Sequence, residues 1–280
     1  MKLLVIGHSV FDFIKSEQSN KNGAGGIYYA VSALNRISNK NDEIYLCSQF
    51  DEETYDYFKP EFEIVNKNYL KKVDKIPRVH LNLFKEKERH EAYENITNNL
   101  MTDFKDLKDF DGILINMITG FDINLNQLVV IRNLFDGIIY FDVHTLSRGL
   151  GENYRRDFRK VPDFDKWAKN IDIIQANENE LFTLSNEKTE QKIVNELLGF
   201  GVKSICVTKG KIGAKIYFKK NDEINSYFIA AQAIKNANVI GCGDVFGAAF
   251  LYNYILSKDE INSLNKAVEK AELHVQNKLI

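Results

Sequence analysis

The sequence predicts an α/β protein: one domain on a mostly parallel sheet, with helices on both faces. Three observations carry this. From residue 112 onward, short runs rich in Ile, Val and Leu alternate with segments of helical period, the rhythm of repeated β-α units. The chain opens on a compact apolar run, Leu3-Leu4-Val5-Ile6-Gly7, that reads as a buried strand. Near the end, Gly241-Cys242-Gly243-Asp244 turns directly into a helical pattern. With 280 residues, 44% of them hydrophobic, the chain can bury a large core and disorder is not the default.

The elements follow in order. After the first strand come His8 and Asp12, polar residues suited to the carboxyl edge of a sheet, where ligands bind. Residues 16–26 are polar and end in Gly23-Ala24-Gly25-Gly26. A helix follows, with Ala30, Ala33, Leu34 and Ile37 at helical spacing. Residues 43–49 read as a strand, 51–58 as a short helix and 62–65 as another strand. Residues 71–97 stand apart. Val79, Leu81 and Leu83 alternate with polar neighbours, Lys85 to Arg89 make a charged turn, and a second segment runs from His90 to Ile96, giving a β-hairpin. With residues 13–26 it forms a small β lid on a single domain spanning residues 1–280. Beyond it, strands are expected at 113–117, 137–143, 171–176 and 204–208, and helices at 124–134 and 191–199. Residues 212–218 and 226–229 form an antiparallel edge. Helices at 244–256 and 261–279 close the chain.

Composition narrows the function. The net charge is −2 with both signs interspersed, so neither nucleic acid nor a membrane is expected as a partner. The apolar start is too short for a signal peptide, and no run is long enough to cross a bilayer. Three cysteines without a CxxC pair point to a reducing, cytoplasmic setting.

The chemistry gathers at the late glycine bend. A bend through Gly241, Cys242 and Gly243 leaves amides free, and the helix behind it adds unpaired N–H groups and a positive dipole end. That is a place for an anion. Asp244 would repel a bound phosphate, so it makes sense as a base for a hydroxyl that attacks phosphorus. The bend alone also fits an ordinary helix start, since Asp is a favoured N-cap and Gly-x-Gly before a helix is common. Further polar residues fall just after strands: Asp12, Asp142 with His144, Asn177 with Glu180, and Thr208-Lys209-Gly210 with Gly213. Asn177 and Glu180 lie three apart on one helix face. They can orient a hydrated Mg²⁺, or form a capping box, and the two roles are compatible.

Taken in order, these motifs resemble the ribokinase-like carbohydrate kinases, the PfkB family. Gly241-Cys242-Gly243-Asp244 with Phe246, Gly247 and Ala248 matches its second signature. Asn177 and Glu180 match its Asn-x-x-Glu motif, and Thr208, Gly210 and Gly213 its Thr-x-Gly-x-x-Gly segment. Gly7 and Asp12 match its opening, and Gly25 and Gly26 its di-glycine. The resemblance implies a three-layer α/β/α fold with a small β lid, and an ATP-dependent kinase acting on a sugar or sugar-containing molecule. It makes Asp244 the base and the amides of Gly241, Cys242 and Gly243 the anion hole. Asp12, Gly25, Gly26 and Asp142 stand on the acceptor side. Asn177 and Glu180 would serve the phosphates and Mg²⁺, Glu180 through water. Thr208, Gly210, Gly213 and Ala271 would lie along the nucleotide. ATP and Mg²⁺ are the implied cofactors, with a monovalent cation as a further candidate, and a homodimer through the lid is open. The sequence departs from the family pattern at Ile27-Tyr28-Tyr29-Ala30, at Gln49-Phe50-Asp51 and at Asp142-Val143-His144 with Arg148 beyond. All three departures touch the acceptor side, so the acceptor stays open between sugar and nucleoside. A sugar- or nucleoside-binding regulatory protein with little catalysis is the alternative. A dinucleotide-dependent oxidoreductase is disfavoured, because no Gly-x-Gly-x-x-Gly follows the first strand.

Overall fold

The computed structural model describes residues 1–16, 20–82, 90–96, 98–234 and 239–276. In chain order the strands and helices are β1 (Lys2–Ile6), β2 (Ser9–Lys15), β3 (Asn20–Gly26), α1 (Ile27–Ile37), β4 (Glu43–Phe50), α2 (Tyr55–Phe62), β5 (Asn66–Lys72), β6 (Arg78–Asn82) and β7 (His90–Glu94). There follow β8 (Gly112–Asn116), α3 (Leu125–Leu134), β9 (Ile138–Asp142), β10 (Arg148–Leu150), β11 (Arg156–Phe158), α4 (Phe164–Ala168), β12 (Ile173–Asn177), α5 (Glu178–Leu181) and α6 (Glu190–Gly199). The chain ends with β13 (Ser204–Thr208), β14 (Gly213–Lys220), β15 (Glu223–Ala230), α7 (Cys242–Ser257) and α8 (Glu260–Val275).

The main sheet has nine strands in the order β15-β14-β13-β12-β9-β8-β1-β4-β5. From β13 to β5 every pairing is parallel, and β14 and β15 add an antiparallel edge. Alternate residues of a strand face opposite layers. Leu4 and Ile6 join Ile113, Ile115, Leu128, Trp167 and Leu197 on one side; Leu3 and Val5 join Leu114, Ile27, Phe250 and Leu264 on the other. Burial on both faces is why these strands read as continuous apolar runs. Helix α7 packs between α1 and α8, and its residues from Asp244 to Tyr252 are all buried. The three-layer arrangement expected from the motifs is the one observed.

A second, four-stranded sheet runs in the order β3-β2-β6-β7. Its apolar residues Val10, Val79, Leu81 and Tyr93 pack with Ile118 and with Ile240, the residue before the glycine bend. Residues 17–19, 83–89 and 97 of the expected lid lie outside the described residues. Lys71 and Lys72, at the start of the expected hairpin, end β5 in the main sheet instead.

Two expectations are corrected. The strand read at residues 62–65 does not form there: Phe62 ends α2, and the strand is Asn66–Lys72. Phe58 and Phe62 are both fully buried, one helical turn apart, and this shared face extends the helix past 58. The helix in turn begins later than residue 51. The Asp51 carboxylate accepts from the Thr54 amide (2.9 Å) and hydroxyl (2.6 Å) and holds the chain in a turn first.

Asp51 also joins the two sheets. It accepts from the Ile76 amide at 2.8 Å and from Arg78 Nη1 at 3.1 Å, so it anchors the segment entering β6. Burial opposes its ionisation, but the donors at Thr54 and Ile76 and the Arg78 charge outweigh it and hold its pKa below the usual carboxylate value. Replacing Asp51 by Ala would leave Arg78 buried without this counter-charge. The expected loss is about 3–5 kcal/mol, measured by urea unfolding. Because the folded pKa is depressed, this stabilisation is present above the unfolded carboxylate pKa. It is lost as pH falls through the folded value, and Asp51→Ala should flatten that acid limb.

Candidate active site

The glycine bend lies at the carboxyl edge of the main sheet, as the first turn of α7. Gly241 is its N-cap, with φ 77°, a left-handed conformation that glycine adopts without steric cost. A Cβ there would also fall 2.3 Å from the Tyr29 ring, so the aromatic face of α1 lies directly on the bend. Tyr29 meets the His274 ring edge-on, and His274 Nε2 donates to the Ile240 carbonyl at 2.8 Å. From below, Gln175 in β12 donates to the Gly243 carbonyl at 3.0 Å and accepts from the Tyr140 hydroxyl at 2.7 Å. Gly247 makes room for this amide, since a Cβ would come within 2.7 Å of Gln175 Oε1.

Asp244, 8% exposed, occupies the first turn of α7. Asn116, at the end of β8, donates from Nδ2 to its Oδ1 at 2.9 Å. Around Asp244 the strand ends bring Asp142, His144 and Glu180 into one electrostatic cluster. Burial raises the Asp142 pKa well above the usual range. His144 works against that rise, and Glu180 and Asp244 add to it. Burial alone would lower His144. Glu180, Asp142 and Asp244 outweigh it and lift His144 to about 9. His144 Nδ1 lies 3.9 Å from Glu180 Oε1, an ion-pair distance too long for a hydrogen bond. Burial, reinforced by Asp244, pushes the Cys242 thiol to about 12, so the bend carries no thiolate to repel an anion.

Asn177 and Glu180 form the reciprocal capping box: the Glu180 amide donates to Asn177 Oδ1 (2.9 Å) and the Asn177 amide to Glu180 Oε2 (2.8 Å). Among the described residues no group of three or more His, Cys, Asp or Glu side chains could cage a metal.

A cleft of about 210 Å³ opens beside the bend. Thr208, Gly210, Gly213, Cys242, Gly243 and Ala271 line it, with Ile234, Val239, Phe246, Val268 and Val275 supplying apolar walls. Asn177, Asp12, Gly25 and Gly26 do not line it. Asp12 is buried in β2, and its carboxylate lies over Gly25, where a Cβ would come within 2.0 Å of Oδ2. Gly26 is the N-cap of α1, with φ 63°. The predicted residues thus form three groups: one around the cleft, one in the charged cluster of Asp142, Glu180 and Asp244 with Asn177 bonded to Glu180, and one on the second sheet, which packs on Ile240 before the bend.

Sequence reasoning missed Asn116 and Gln175. It also missed the His8–Asp122 pair, in which the His8 amide and Nδ1 both meet Asp122 Oδ1, at 2.7 and 2.9 Å. Gln175 carried a signal: a primary amide inside the run Ile173–Asn177 must find partners when buried.

Residues 147–279 match the family model described as pfkB family carbohydrate kinase. No curated protein matches the chain in sequence. Several solved structures share the fold. A pyrophosphate-dependent kinase in the ribokinase family, complexed with a pyrophosphate analog and myo-inositol, has a TM-score of 0.76 at 16% identity, covering 99% of this chain and 95% of that one. A putative ribokinase II from E. coli, in complex with ATP and Mg²⁺, has 0.76 at 18%, covering 98% and 92%. Arabidopsis thaliana ribokinase, complexed with ribose and ATP, has 0.74 at 17%, again covering 98% and 92%. At such identities the likeness speaks for the fold. The chain is therefore an α/β protein with the ribokinase fold. Its second half, residues 147–279, is similar to the PfkB carbohydrate kinases.

Two outcomes are expected of the site's framework. Gly241→Ala should displace Tyr29 and lower stability by roughly 1–3 kcal/mol, seen as a drop in the denaturant midpoint. His144 is raised above its unfolded value of 6.5, so its charge stabilises the fold fully below that value. The contribution fades as pH rises towards about 9, and His144→Asn should remove this alkaline decline from the stability profile.

Proposed function

We propose that this protein is a kinase that transfers the terminal phosphoryl group of ATP to a hydroxyl of a sugar or sugar-containing small molecule. One observation carries the reading: Cys242 and Gly243 wall the apolar cleft, while the next residue, Asp244, belongs to the cluster of acidic strand ends. A phosphoryl group held at the bend would have a proton acceptor within one residue.

In this reading the adenine lies in the slot between Phe246, Val268, Ala271 and Val275, with the phosphates directed along Thr208 and Gly210 towards the bend. The amides of Gly241, Cys242 and Gly243 and the positive end of α7 stabilise charge on the transferring group. Asp244 takes the proton of the acceptor hydroxyl as it attacks in line. Mg²⁺, when bound, neutralises charge between the phosphates; Glu180 and Asn177 orient its water shell. Asp12, Gly25, Gly26 and Asp142 bind the acceptor, and the second sheet acts as a lid that excludes water. That sheet is also our candidate homodimer contact. No helix among the described residues is long and apolar enough to cross a membrane. The buried free thiols of Cys47 and Cys206 suit a reducing cytoplasm.

ATP is favoured over pyrophosphate as donor because the slot beyond the phosphates is apolar and pyrophosphate has nothing to fill it. Phosphoryl transfer should be assayed across sugars and nucleosides with both donors. Asp244→Asn should keep the thermal shift given by Mg²⁺·ATP and lose about 10²- to 10⁴-fold in turnover. Near-normal turnover would remove Asp244 as the base. Ala271→Phe should abolish the ATP-dependent thermal shift by filling the slot. A shift that survives it, or turnover with pyrophosphate alone, would overturn the nucleotide assignment.

A further inference from the structure

We infer that Asn116 is the positioning residue of the base: it fixes the Asp244 carboxylate towards the acceptor hydroxyl without cancelling its charge. Asn116 has this role only if Asp244 is the base of the proposed transfer.

Asn116 ends β8 in the middle of the main sheet, 1% exposed. Its surroundings are rigid. It pairs in register with Asp142 of β9, and its own carbonyl accepts from the Ile118 amide at 2.9 Å. A Cβ on Gly7 of the neighbouring β1 segment would come within 2.9 Å of that carbonyl, so the backbones are packed as closely as they can be. From this fixed point Nδ2 reaches Asp244 Oδ1 at 2.9 Å, across 128 residues of sequence.

The other end of the same amide is unmet. Asn116 Oδ1 is buried and has no hydrogen-bond partner. An orphaned buried acceptor costs free energy, and an apolar side chain of similar size would avoid that cost. The amide's orientation is not arbitrary, because turning it over would set Oδ1 against a carboxylate. The position therefore carries a cost on one side of the amide for the sake of the donor on the other.

The choice of donor has a chemical reason. A lysine or arginine here would pair with Asp244, favour its ionised form and make it a weaker proton acceptor. A neutral amide orients the carboxylate while leaving its charge in place. Without it, Asp244 would sit among Asp142 and Glu180 with nothing from β8 to set its rotamer. Misplacing a reacting group by about 1 Å can cost roughly 10²-fold in rate.

The test is Asn116→Leu, with Asn116→Asp as a second variant of the native shape. Both should lower kcat about 10- to 100-fold with acceptor and ATP KM within about threefold of wild type, since the loss concerns geometry in the transition state. In the Asp244→Asn background Asn116→Leu should cost no further turnover, because the residue acts through Asp244. A crystal structure of Asn116→Leu should show Asp244 in a different rotamer. A kcat within twofold of wild type, an additive loss in the double variant, or an unchanged Asp244 rotamer would each overturn the inference. If the wild type phosphorylates no acceptor, the kinase reading fails and this role fails with it. If the wild type turns over and Asn116→Leu does too, only the role of Asn116 fails.

Discussion

The first turn of α7 is held from above, below and behind. Tyr29 lies on Gly241, Gln175 binds the Gly243 carbonyl, and His274 binds the Ile240 carbonyl. A helix N-terminus is an anion site only while its amides keep one orientation, because the dipole effect falls off within a turn. Every other feature of the site takes its position from this one. The apolar cleft has Cys242 and Gly243 as its wall, and the second sheet packs on Ile240. The glycines are the condition for it: Gly241 admits the left-handed bend under Tyr29, and Gly247 admits Gln175.

Charge is arranged with the same economy. Asp142, Asp244 and Glu180 share one end of the sheet with His144. Its imidazolium balances part of a buried acidic cluster that would otherwise carry uncompensated charge. His144 has φ 33°, unusual outside glycine, and strained backbone of this kind is tolerated where the surroundings enforce it.

The sequence made the main sheet legible because strands buried on both faces must be apolar throughout, as in Leu3 to Ile6 or Ile113 to Ile115. Strand β3 was legible only as part of the lid at residues 13–26, not as a strand with its own bounds. Asn20–Gly26 holds no large apolar residue, and pairing with β2, a tertiary event, makes it a strand. The α2–β5 boundary slipped for a related reason: Phe58 and Phe62 satisfy a helical face that only packing reveals. At the site, the glycine bend and Asp244 stood out only in company with the other motifs, because a glycine bend with an Asp also opens ordinary helices. Asn116 did not stand out, because an asparagine after Gly112-Ile113-Leu114-Ile115 looks like the end of a strand, and its partner lies far along the chain. The departure at Gln49-Phe50-Asp51 likewise looked like a loss, although Asp51 ties Arg78 and the entry to the second sheet.

The position of α8 couples two parts of the site. Val268, Ala271 and Val275 close the cleft, and His274 fastens the residue before the bend, so one helix supplies both. Any shift of α8 against the sheet would open the cleft and slacken the bend in the same movement.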